Sequence, residues 1–512
     1  MRSFLVLVLV GTLGILVGCG SSGTPSGLAV TIGLSPTSAT LTGGQTLNIV
    51  ATVTNDSTND GVSWSLTGLG KLSAQTTTSV TYTAPNPITV TSIATVVATS
   101  IASSTVTASL PITLSPPGAT NSVPITVNGG PLAPTTIYPN GAFVSVEICG
   151  TVGTASCQTI PNILVDTGSY GLRVLGSQLT SQVAASLGAY TSNGDTLYDC
   201  ISFLDGSFLW GAVAPANILL GDESAPTTSI QIIANPSFGI PNSCSDNGAG
   251  QNEDTQATLG ANGILGVGPE PFDCGLACDP VANPGGQVPV YYFCGSGGGC
   301  TETQISCGAL CGDTLSPNIQ VTNPVFNFPV DNNGVILELD AVSDVAPTVN
   351  GIMVFGIGTE TNNGLGSATV FPLTGGVDNF TTNFGGQAFT ASFLDSGSNG
   401  YFFPQINNSP NICSDVDTWY CPPTTTAYSA TNVASSGSPS NTVNFSVDNY
   451  DNVTQANPGD AAFGNLAGPL ACTTSPCSFD WGLPFFYGRN VYTAIDGATE
   501  PSGVPAGPFF AY

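Results

Sequence analysis

Two stretches of this chain carry one pattern, and the pattern calls for a strand that ends on an aspartate at a tight turn. Asn162-Ile-Leu-Val-Asp166-Thr-Gly-Ser-Tyr-Gly171 and Ser392-Phe-Leu-Asp395-Ser-Gly-Ser-Asn-Gly400 each read apolar, apolar, Asp, hydroxyl, Gly, Ser, any residue, Gly. The apolar run predicts a buried β-strand. The small hydroxyl residue and Gly168 or Gly397 let a second backbone approach closely. In a chain with 63 Gly and 32 acidic residues one such box is ordinary, but two in register are a constraint. A second echo follows each box, Ile264-Leu265-Gly266 and Phe486-Tyr487-Gly488. The chain therefore reads as an internal duplication whose halves bring Asp166 and Asp395 together across a pseudo-twofold axis.

Composition narrows the chemistry. Lys and Arg total 4 against 32 Asp and Glu, a formal charge of −28, and His is absent. Nucleic acid and anionic lipid are excluded as partners of such a surface, because neither is attracted to it. Without His there is no Ser-His-Asp or Cys-His catalysis and no His-based zinc site, so acid–base work falls to carboxylates. The scarcity of Lys would suit an acidic medium; equally, exported proteins are often acidic with no such adaptation, and composition leaves the two readings open. Short Val/Ile/Thr/Phe runs between turn residues predict an all-β protein, with 174–188 as the best candidate for a short helix.

The first 19 residues, Arg2 followed by an apolar run from Phe4 to Val17, read as a signal peptide too short to span a membrane comfortably. The run ends Leu16-Val17-Gly18-Cys19, which is similar to a bacterial lipobox. That predicts a lipidated Cys19 and an exported protein anchored to the cell envelope by its lipid alone. Removing Cys19 leaves fourteen of the fifteen cysteines, an even number that predicts disulfides in an oxidising compartment. Cys149/Cys157, Cys413/Cys421 and Cys472/Cys477 are close enough in sequence to staple loops. Cys274-Gly-Leu-Ala-Cys278 and Cys307-Gly-Ala-Leu-Cys311 carry the rival zinc reading, which export and the lack of His disfavour.

Residues 20–27 read as a flexible tether. From 28 to 115, six or seven short alternating runs with Trp64 mid-chain fit an immunoglobulin-like sandwich and resemble the Ig-like domains of bacterial surface proteins. The module reads as a spacer, and its partner is unknown. Residues 116–122, Pro-Pro-Gly-Ala-Thr-Asn-Ser, read as a linker. Downstream of the first box, Asp205-Gly206 between apolar runs predicts a hairpin over Phe203–Ser207. Residues 269–325 hold six cysteines and read as a disulfide-tied insertion.

Residues 123–512 resemble a pepsin-type aspartic peptidase, and are more closely similar to an uncharacterised bacterial family of secreted pepsin-like proteins. The residues that carry the resemblance are Asp166-Thr-Gly-Ser, Asp395-Ser-Gly-Ser, Gly263-Ile-Leu-Gly266 and Phe485-Phe-Tyr-Gly-Arg-Asn-Val-Tyr-Thr-Ala-Ile-Asp496. It implies a bilobal β-barrel domain with lobes 123–325 and 326–512, and hydrolysis of a polypeptide substrate by Asp166 and Asp395 acting on a shared water. Thr167, Gly168, Ser169, Ser396, Gly397 and Ser398 would support the pair, with no cofactor and no metal. Phe203, Asp205, Gly206 and Ser207 would form a flap closing over substrate. Two positions depart from the family pattern: Phe203 stands where the flap tyrosine is expected, and Arg173 where a tryptophan commonly follows the first box. A reading from another class remains beside this one, in which the chain is a non-catalytic surface lipoprotein for binding or adhesion and the aspartates are relics. The separation of Asp166 and Asp395 discriminates between them.

Overall fold

The computed structural model describes residues 29–512 apart from 37–38, 42–43, 86–91, 115–120, 154, 234–237, 275–289, 296–298, 304–318, 375–377, 407–408 and 473–474. Cys19 with its apolar leader, the whole tether, residues 116–120 of the linker, and Cys278, Cys307 and Cys311 lie outside the described residues. The protein is all-β and divides into two compact units, residues 1–119 and 120–512.

The first unit contains β1 (Thr31–Ser35), β2 (Ala39–Leu41), β3 (Thr46–Thr54), β4 (Val62–Thr67), β5 (Lys71–Ser73), β6 (Ser79–Thr83), β7 (Ser92–Ser100) and β8 (Thr107–Leu114). One sheet has the order β1-β3-β6-β5 and the other β2-β8-β7-β4. With the strands lettered in sequence this is ABED facing CFG, the immunoglobulin arrangement, with β2 added parallel to β8. Alternation drives it: within β3, Ile49 and Ala51 are buried while Asn48, Val50 and Thr52 are exposed. Ile49, Val80 and Tyr82 from one sheet meet Val96, Leu110 and Ile112 from the other in a single core.

In the second unit one sheet runs through both halves of the sequence. Cys157–Asp166 pairs with Ala142–Cys149, which pairs with Ser122–Val127. Ser122–Val127 in turn pairs with Val349–Phe355 of the C-terminal half, and the sheet continues through Gly334–Leu339 to Asn490–Ala494. Ser122 and Asn121 are thus part of this unit rather than a linker, Asn121 exchanging hydrogen bonds with Phe355. A second sheet contains Phe380–Phe384, Gln387–Leu394, Tyr401–Phe403 and Asp480–Trp481. Its buried face is aromatic: Phe403, Phe445 and Phe479 pack around Phe384, and Trp481 stacks on Phe479 at 4.4 Å.

The helix expected over 174–188 is shorter. Val174 and Leu175 belong to the strand Tyr170–Leu175, paired with Ile232 and Ile233, and only Ser181–Ser186 is α-helical, capped by Thr180. Sheet pairing takes the apolar residues that a helix would have needed. The three local disulfides form, as do Cys200–Cys244 and Cys294–Cys300, which spacing alone did not single out. Cys274 is disulfide-bonded, which removes it as a zinc thiolate.

Asn140 ties the halves together. Fully buried, it donates to the carbonyls of Asn399 (2.8 Å) and Phe463 (2.9 Å) and accepts from the Phe463 amide (2.7 Å) and the Tyr487 hydroxyl (2.8 Å). Asn140→Ala leaves buried donors without a partner and is expected to cost about 1–3 kcal/mol in urea unfolding. An unchanged midpoint would contradict the role given to this side chain.

Candidate active site

Each aspartate turn is built by threading a third strand between the two arms of its box. In the first half, Gly263–Val267 runs parallel to Cys157–Asp166, with Val165 opposite Leu265 and Asp166 opposite Gly266, and antiparallel to Tyr170–Leu175. In the second, Asp480–Trp481 runs parallel to Gln387–Leu394, with Leu394 opposite Trp481, and antiparallel to Tyr401–Phe403. The counterpart of Ile264-Leu265-Gly266 is therefore Asp480-Trp481-Gly482 and not Phe486-Tyr487-Gly488. The latter triplet lies one turn further on, where Tyr487 bridges to Leu339. A short strand with an acidic residue inside it hides from an apolar-apolar-Gly search.

The two turns grip each other. Thr167 donates through its hydroxyl to the Leu394 carbonyl (2.9 Å), and Ser396 through its own to the Val165 carbonyl (2.7 Å). The Ser396 amide donates to the Thr167 hydroxyl (2.9 Å) and the Thr167 amide to the Ser396 hydroxyl (3.1 Å). Both side chains are buried, so these four bonds are shielded from competing water. The glycines face the opposite aspartates: a Cβ on Gly168 would lie 2.6 Å from Asp395 Cγ, and one on Gly397 2.7 Å from Asp166 Cγ. Only a residue without a side chain permits that approach.

Each carboxylate is also oriented by its own turn. Asp166 accepts from the Gly168 amide (2.8 Å) and the Ser169 hydroxyl. Asp395 accepts from the amides of Gly397 (2.8 Å) and Ser398 (3.2 Å) and from the Ser398 hydroxyl (2.8 Å). Burial pushes the Asp166 carboxyl well above its ordinary value, and the charge and hydrogen bond of Asp395 push it further. The two groups are close enough for one to hold a proton while the other is ionised. All eight residues of the two boxes expected at the site are thus brought together.

A third carboxyl, which sequence reasoning missed, adjoins the pair. Asp480 is register partner to Phe393, the place that Ile264 takes opposite Leu164 in the first half. It is 4% exposed and its Oδ1 has no hydrogen-bond partner. Burial and then the Asp395 charge raise it well above the ordinary carboxyl value, against a hydrogen bond from Ser398. A protonated Asp480 adds no charge to the pair and lets Ser398 keep its bond to Asp395.

The hairpin forms where Asp205-Gly206 predicted it. Ser202 pairs with Phe208, the Phe203 amide donates to the Ser207 carbonyl (2.8 Å), and Ser207 donates through amide and hydroxyl to Asp205 Oδ1 (2.9 and 2.7 Å). Leu164 and Asp166, two residues apart on a strand, face the same way. Leu164 belongs to one apolar cluster with Ile264 and Leu209, against which Ile201 and Phe203 of the hairpin pack, and this puts the hairpin on the side to which Asp166 opens. Its tip, Asp205, Gly206 and Ser207, lines a cavity of ≈ 260 Å³ with Asp246, Gln251 and Glu253. Burial and the Asp205 charge push Glu253 up to about 7.

Arg173 lies in the interior next to the first box. It donates to Asp199, to Gln231 (2.8 Å) and to Asp273 (2.9 Å) and is 1% exposed. Arg173 is therefore the cation of a buried ionic cluster. No curated protein matches the chain. The model of an uncharacterised family, described as Protein of unknown function (DUF3443), matches residues 117–512, and the chain belongs to that family.

Proposed function

We propose that residues 123–512 form a bilobal, pepsin-like aspartic endopeptidase, carried on an exported lipoprotein whose Cys19 lipid anchors it to the cell envelope. The observation that carries the catalytic reading is the reciprocal grip of Thr167 and Ser396, which holds two carboxyl-bearing turns face to face in one buried frame. Beside that frame each carboxyl keeps the serine hydroxyl that orients it, Ser169 on Asp166 and Ser398 on Asp395.

The chemistry follows from the shared proton. Burial and its neighbour raise Asp166, which in this reading starts as the acid of the pair, and Asp395 takes the part of the base. A water between them gives a proton to Asp395 as its oxygen bonds to the scissile carbonyl carbon. Asp166 gives its proton to the carbonyl oxygen, and a tetrahedral diol results. Transfer of a proton to the amide nitrogen then lets the C–N bond break, releasing a carboxyl and an amine and returning one proton to the pair.

The pH dependence has a definite sign. Activity requires the proton on Asp166, so it is present below the raised value of that group and lost as pH climbs through it. Cleavage of an unfolded protein by the oxidised chain should persist well above pH 3.8, where an ordinary aspartate has ionised, and decline on the alkaline side. A rate that grows steadily from acid to alkaline pH would overturn the mechanism.

A further inference from the structure

Attack by water builds negative charge on the scissile carbonyl oxygen before the proton of the pair reaches it, and a site of this kind gains from a second donor already aimed at that oxygen. The donors nearest the dyad are committed. The hydroxyls of Thr167, Ser169, Ser396 and Ser398 hold the turns or the carboxylates, and so do the amides of Gly168 and Gly397. Of the cationic side chains, Arg173 is tied to Asp199 and Asp273, and Arg489 to the Phe485 carbonyl and ring.

Tyr138 is different. It precedes Asn140, the residue bonded to the Asn399 carbonyl of the second box, and its amide is fixed to the Gly129 carbonyl (2.9 Å). Its ring stands edge-on to Phe143 (6.3 Å between centroids) in a slot between two glycines. A Cβ on Gly260 would come to 2.1 Å of the ring and one on Gly141 to 2.7 Å. It packs in the cluster of Leu164, Ile264 and Phe203, on the side of the sheet to which Asp166 opens and under the hairpin. Its hydroxyl makes no hydrogen bond among the described residues.

We propose that Tyr138 is a catalytic residue of this site, its phenol donating a hydrogen bond to the substrate carbonyl oxygen while charge builds on it over Asp166 and Asp395. Phe203, the hairpin residue that shares this cluster with Tyr138, has no hydroxyl to offer in its place. Burial, and then the charges of Asp395 and Asp166, hold the phenol well above its ordinary value, so it remains a donor wherever the dyad works. The slot also fixes the ring before substrate arrives, the condition under which such a donor is most effective.

This role rests on the peptidase reading. Its test is Tyr138→Phe in the whole oxidised chain, assayed for kcat, KM, binding of a statine-type transition-state mimic and melting midpoint. Loss of the hydroxyl alone should lower kcat about 100-fold, leave KM nearly unchanged and weaken the mimic comparably, at an unchanged midpoint. An active parent with a variant at parental kcat, or one in which only KM moves, overturns the role of Tyr138 and leaves the peptidase standing. A kcat loss that comes with a lower midpoint overturns it as a packing effect. A parent that cleaves nothing overturns both.

Discussion

Asp166→Asn and Asp395→Asn should each lower hydrolysis of an unfolded protein by about 10²–10⁴-fold, and the double variant should be no worse than either single one. The amide has nearly the shape of the carboxyl and can still accept from Gly168 or Gly397, so the frame of the site survives. What it cannot do is take a proton from water or hand one to the carbonyl. The two aspartates act as one acid–base unit, and half a unit leaves only the rate that substrate positioning supplies. Removing one of two adjacent carboxylates also relieves repulsion, so neither variant should melt below the parent. Initial rates beside melting curves check both statements; undiminished rates in either single variant would contradict the assignment.

Arg173→Met should be the most destabilising single change, by about 3–5 kcal/mol near neutral pH. One guanidinium stands between two buried carboxylates, Asp199 and Asp273, and its removal leaves both without their counter-ion. In the parent the cluster already carries excess negative charge, and burial outweighs the guanidinium and pushes Asp199 up to about 7. The sign of the pH dependence follows. A carboxyl raised in the folded state contributes stability that is full below its ordinary value of 3.8 and lost as pH rises toward 7. Without the guanidinium both carboxyls rise further, so the penalty of the variant should shrink on acidification. Urea unfolding at about pH 8 and about pH 5 compares the two conditions. A penalty that grows in acid would contradict the account. Half-buried Asp378, raised to about 6, and Glu223, raised to about 7, move the parent in the same direction, so the fold itself should be firmer in mild acid.

What could be read from the sequence was local chemistry. The two boxes, the Asp205-Gly206 hairpin and the alternation within Thr46–Thr54 each write their conformation into adjacent residues, and the structure has all three. What escaped depends on residues far apart. Arg173 stood out only as a departure, because its partners Asp199 and Asp273 lie 26 and 100 positions away. Asn140 looks like an ordinary turn residue until its bond to Phe463, 323 positions on, is seen. Asp480 broke the apolar pattern that marked the first half, so the search slid forward to Phe486-Tyr487-Gly488. Val174 and Leu175, the start of the expected helix, belong to the sheet, since pairing with Ile232 and Ile233 buries them better than a short isolated helix would.

The most direct test of the central claim is cleavage of an unfolded protein by the folded, oxidised chain in mild acid, with and without a statine-type transition-state mimic. The mimic places a hydroxyl where the two carboxyls would hold the attacking water, so its inhibition requires the assembled pair. The account predicts cleavage by the chain alone and its suppression when the mimic is present. Cleavage that the mimic leaves untouched, or no cleavage by a demonstrably folded sample, would contradict it.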